Sequence, residues 1–156
     1  MKKPHFNLNQ KNSALKELVE ASDKRSLAIW ALACAERVLP YFEAEFPQDS
    51  QPRQALATLQ DWIDTGEFSM KIIRAAALAS HTAAREVGED NPARSAARAA
   101  GQAVSTAHVK EHALAAANYA RQAIFSANID NNPEDAIEAE QLWQIQLLME
   151  IQQESS

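Results

Sequence analysis

The chain has 156 residues, enough for one domain with a full core and too few for two. A formal net charge of −6 argues against a nucleic-acid binder, which needs a basic face for phosphates, and suits a cationic partner instead. A single cysteine excludes an internal disulfide, the N-terminal MKK lacks the apolar stretch of a secretory signal, and no apolar run reaches the roughly 20 residues of a membrane span; a soluble cytoplasmic protein without membrane contact is expected.

Alanine, the strongest helix former, dominates from Ala28 onward, glycine occurs only three times, and no segment alternates β-branched and polar residues, so the fold is expected to be all-α. Residues 1–12 read as a flexible arm. The pair Ser22-Asp23 offers N-cap oxygens to a long helix in which Leu27, Trp30, Cys34, Val38 and Tyr41 recur at helical spacing, ended by Pro47 and the Asp49 to Pro52 segment. A second helix is predicted from about Pro52 to Thr65, with Ala55, Leu59 and Trp62 or Ile63 inward and Gly66 as its left-handed terminator. A third runs from about Ser69 to Val87 and stops at Gly88, and a fourth starts at Asn91-Pro92, where proline's missing N–H is harmless. The polar cluster around Ser105 to His108 predicts a turn between Thr106 and Val109 and hence a separate fifth helix. The last helix opens at Asn132-Pro133 and carries Ile137, Leu142, Ile145, Leu148 and Ile151 to a flexible tail over 152–156.

Prolines at 52, 92 and 133 recur 40 and 41 residues apart, each following an Ala-Leu-Ala triplet, which suggests three stacked helical hairpins. A period near 40 is typical of helical-pair repeats, whose units bury their apolar faces only against neighbours. The expected architecture is one domain of six to seven helices, a short solenoid-like bundle with a groove on one side.

The stretch AARAAGQAVSTAHVKEHALAAANYA, residues 96–120, sets His108 and His112 at i and i+4. On a continuous helix that places two imidazoles about 6 Å apart, as in zinc helices. However, the order His-Val-Lys-Glu-His is not the zincin order, no further ligands are supplied, and a turn near Val109 would separate the pair, so no metal or other cofactor is expected. Ala97, Gly101 and Ser105 at i, i+4 and i+8 point to close helix approach, since glycine inside a helix costs about 1 kcal/mol relative to alanine. Cys34 lies in an apolar stripe and reads as packing, no glycine elbow surrounds a serine, and no glycine-rich phosphate loop exists; no catalytic residues are assigned.

The informative constellation is basic. Arg74, His81 and Arg85 share one face of the third helix, while Arg94, Arg98 and Gln102 share one of the fourth. The candidate binding groove comprises His81, Arg85, Arg94, Arg98, His108 and His112, with Trp30 as an aromatic member, and would receive a carboxylate or an acidic loop. Pairing of these arginines with Glu86, Glu89 and Asp90 is the structural alternative, and the acidic segments from Glu43 to Asp49 and from Glu134 to Glu140 are the alternative functional surfaces.

The segments SLAIWALACAERVLP (26–40), PRQA (52–55) with Trp62 and Gly66-Glu67, AAALASHTAAR (75–85) and ARAAGQAVSTAHVKEHALA (97–115) resemble a family of all-helical bacterial immunity proteins, over about residues 24–127. The resemblance implies a polymorphic-toxin or toxin-antitoxin type of system, in which a cytoplasmic protein neutralises a cognate or kin toxin by protein binding. Members commonly read Ala-Gly-His-Ala where this chain has Ala100-Gly-Gln-Ala103. Two rivals stand beside that reading: a small-ligand binder or enzyme using the Arg/His groove, and a helical scaffold that would form oligomers, a homodimer being the simplest.

Overall fold

The computed structural model describes residues 13–155; the arm expected over 1–12 lies outside them. Seven helices follow in order: α1 (Ser13–Glu20), α2 (Lys24–Glu45), α3 (Gln51–Thr65), α4 (Met70–Val87), α5 (Pro92–Ser105), α6 (His112–Ala127) and α7 (Pro133–Ser155), with no strand among the described residues. Their ends follow local chemistry. Asp23 caps α2 by accepting the Ser26 N–H at 2.7 Å, and that bond holds its carboxyl below the usual range. Asn91 accepts the Arg94 N–H at 2.9 Å ahead of Pro92, and Gly66 closes α3 at φ +71°, a conformation that disfavours any side chain.

The three hairpins pair as α2 with α3, α4 with α5 and α6 with α7, and each repeat proline opens the second helix of its hairpin. They are also closed on themselves, because α2 packs against α6 and α7 as well as α3 and α5. A strict solenoid would lack those contacts between its first and last units. Closure rests on side-chain size. Ala96, Ala97, Ala99, Ala100 and Ala103 of α5 are fully buried, so four helices approach its backbone closely. Trp30, Leu27, Cys34, Val38, Leu39 and Phe42 of α2 fill the volume on the other side. A helix enclosed on nearly every side is what an almost continuously apolar sequence such as LAIWALACA demands.

Several expectations are corrected. Tyr41 is 37% exposed and its neighbour Phe42 occupies the core, because a stripe stepping from Val38 can advance by three or four residues and here advances by four. On α7 the buried positions after Pro133 are Glu140, Gln144, Leu148 and Ile151, whereas Leu142 is exposed. The helix continues to Ser155, and Gln152, assigned to the tail, donates through Nε2 to the Leu18 carbonyl at 2.9 Å and to Ser22 Oγ at 2.6 Å. Those bonds help seat α1, which lies beyond the expected arm and was not predicted as a helix, and whose Leu15 and Val19 are buried.

Candidate functional site

His81 of α4 lies against the backbone of α5 where Gly101 has no side chain. A Cβ built on Gly101 would stand 2.7 Å from Cε1 and 2.8 Å from Nε2 of His81. The small residue thus makes room for an imidazole, a more specific role than the general helix approach expected of it. Beside the ring, Nη1 of Arg98 is 3.5 Å from Nδ1 of His81, a long contact in which the guanidinium can only donate, so Nδ1 is the acceptor. One position on, Oε1 of Gln102 lies 2.7 Å from Nδ1 of His112, and a carbonyl oxygen can only accept, so His112 donates through Nδ1.

Gly101→Ala tests the seat. The helix gains about 1 kcal/mol of propensity, but the imidazole must swing away from Arg98. We expect melting to change little while the His81 ring signals shift in NMR and its pKa moves back toward the ordinary histidine value; an unmoved ring would contradict the geometry.

Burial is the largest influence on both histidines, and it holds each below the ordinary imidazole range. For His81, Arg98, Arg85 and His112 add to that effect in this order; for His112, His108 adds to it and Glu111 opposes. A base whose pKa is depressed on folding makes the protein most stable above its unfolded value, near 6.5. As pH falls below that, the unfolded chain takes up protons that the folded chain resists, and stability declines. Thermal melting between pH 7.5 and 5 is therefore expected to show a decline that becomes shallower in His81→Gln; an identical slope in the variant would remove His81 from the account.

The remaining candidates divide. Arg94 makes an ion pair with Asp90 at 3.1 Å, and together with Ser95, Arg98, Tyr119 and Gln122 these two line a cavity of about 160 Å³ between α5 and α6. Arg85 is exposed and donates to Oγ1 of its own helix's Thr82 at 3.0 Å. His108 sits in the α5–α6 turn, stacked on Phe68 at 6.1 Å between ring centroids, and His112 begins α6, so the two histidines do not share a helix face. Among the described residues, no three metal-ligating side chains (His, Cys, Asp or Glu) stand together. Trp30 is fully buried, and its indole N–H donates to the Gln144 carbonyl at 2.8 Å; it belongs to the core and not to the groove. Its apolar neighbours in sequence already indicated that placement.

A second polar cluster went unread in the sequence. Arg121, only 7% exposed, donates to Oε1 of Gln144 at 2.7 Å and to Oδ1 of Asn118, while Gln144 donates to the Ala117 carbonyl at 3.1 Å. Alongside, Arg37 forks onto Glu140 at 2.7 and 2.9 Å and stacks on Trp143 at 3.9 Å. The signal was available: Glu140 and Gln144 share the α7 stripe of Leu148 and Ile151. Cys34 lies near this cluster, and burial, followed by Glu140, pushes its thiol far up, which keeps it protonated and unreactive.

Fold and site together define a closed all-helical domain in which cationic and imidazole groups from α4, α5 and α6 converge on one side. Residues 17–151 match the family model described as "Imm-5 like putative immunity protein", and the chain belongs to that family. No curated protein and no solved structure matches it. No helix among the described residues is long and apolar enough to cross a membrane.

Proposed function

We propose that this chain is a cytoplasmic, non-enzymatic immunity protein of a polymorphic-toxin system, which binds a cognate or kin bacterial toxin and neutralises it by covering the toxin's active site. The match to the immunity family over residues 17–151 carries the proposal. The convergence of His81, Arg85, Arg98 and His112 supports the α4–α6 side as the binding face, with Arg94 and His108 at its margins. The net charge of −6 additionally favours long-range steering toward a basic toxin. Co-expression with the toxin encoded by the neighbouring gene tests the proposal: growth is expected to be restored, and continued killing at equal expression would refute it.

The cavity beside Arg98 favours one second reading, a small-anion binder or enzyme. A thermal-shift panel of small anions separates the two, because a ligand present at 100 times its Kd adds about 2.7 kcal/mol of stability. The immunity reading expects no such shift.

A further inference from the structure

The cations of this acidic chain are unevenly engaged. Among the described residues, Lys16, Arg37, Arg53 and Arg94 each have a carboxylate partner, and Lys24, Arg25, Lys110 and Arg121 are held by carbonyls, aromatic rings or amides, such as Arg25 on the Ile63 carbonyl and Lys24 over Trp62. Among the described residues four cations lack a carboxylate, carbonyl or ring partner: Lys71, Arg74 and Arg85 of α4, and Arg98 of α5, which reaches only the His81 nitrogen. With 21 acidic residues in the chain, leaving these four without carboxylates is a local choice of sequence rather than a shortage of anions.

The four are not scattered. Lys71, Arg74, Leu78 and Arg85 fall at i, i+3, i+7 and i+14, one stripe of α4, with Arg98 beyond His81 on the adjoining helix. Leu78, 56% exposed, is a large apolar side chain in the middle of that stripe. Glu86, next to Arg85 in sequence, instead lines a different cavity with Phe42, Glu45 and Phe46, and Glu67, four residues before Lys71, lines another with Trp62, Phe68 and Ile72. Glu89 lies near the Asn91 amide, and Asp90 is taken by Arg94.

Resting on the immunity reading, we infer that the α4–α5 face docks an acidic segment of the toxin, with Asp or Glu carboxylates on Arg74, Arg85 and Arg98 and an apolar residue seated on Leu78. An exposed leucine within a stripe of cations that have no carboxylate partner has the composition of an apolar anchor beside charged rim positions. The charges acting on His81, namely Arg98, Arg85 and His112, include no carboxylate, and Asp90, which lines the cavity beside Arg98, is held by Arg94. The chain's net charge does not oppose docking, because screening over about 8–10 Å at physiological salt leaves local charge in control at contact. Net charge would steer a basic toxin at long range, while this face would select an acidic loop on it.

NMR titration of the full chain with a peptide alternating Glu and Leu, and with its Gln-for-Glu counterpart, tests the chemistry without the toxin. The inference predicts amide shifts along residues 71–85 and around Arg98 with the Glu peptide only, and affinity about tenfold lower in the double variant Arg85→Gln, Arg98→Gln, through loss of two exposed charge contacts. A silent titration, equal shifts with both peptides, or shifts centred on other cations such as Lys16 or Arg53 would overturn it. The toxin assay keeps the two claims apart. If the wild-type chain fails to protect, the proposed function falls and the peptide result stands by itself; if Arg74→Glu, Arg85→Glu protects as well as wild type, the docking face alone is wrong.

Discussion

Arg121→Ala is expected to lower stability by about 2–5 kcal/mol, the range for truncating a large buried side chain to alanine, with an orphaned buried acceptor contributing to the loss. Arg121 lies beneath α7, 7% exposed, with its guanidinium on Gln144 and Asn118, and burial depresses its pKa. Truncation leaves Oε1 of the fully buried Gln144 without its donor and opens a void. Because the Gln144 backbone carbonyl also anchors the Trp30 indole, the disturbance spreads into the core. Arg121→Met should be milder, since it fills most of the volume that alanine leaves empty. Urea unfolding measures both. An alanine variant within 1 kcal/mol of wild type would show that this network does not hold α7 to the bundle.

Ala100→Leu is expected to destabilise by about 1–3 kcal/mol or more. The methyl group of Ala100 is fully buried on a helix packed against α2, α3, α4 and α6, and the added carbons have no free side to occupy. Leucine and alanine are both good helix formers, so the loss reports packing rather than propensity. The same change at exposed Ala75 is the control and should be nearly neutral. Similar melting temperatures for the two variants would mean that α5 is less tightly enclosed than its burial indicates.

Helix boundaries were legible because they depend on local chemistry. Asp23, Asn91-Pro92 and Gly66 act through bonds or dihedrals within a few residues, and the turn that divides His108 from His112 came from the same logic. Facing was harder to read. Tyr41 and Phe42 differ by one residue at the end of a long stripe, and only the neighbours of α2 decide between them. Arg121 was invisible because its burial depends on Gln144, which is 23 positions away. The His81 seat shows a similar limit: Gly101 signalled that something approaches α5, but not that it would be an imidazole. The unpaired cations of α4 emerged only by elimination, once the partners of the other described cations were known.

The central claim is that the α4–α5–α6 face of a stable bundle neutralises a toxin. Calorimetric titration of the purified cognate toxin into wild type and into Arg85→Gln, Arg98→Gln, with melting measured on both, tests it most directly. The account predicts a saturable complex with wild type that abolishes toxin activity, and at least tenfold weaker binding by the variant at an unchanged melting temperature. No complex with wild type, or equal affinity for both chains, would contradict it and move the search to the acidic segments at Glu43 to Asp49 and Glu134 to Glu140.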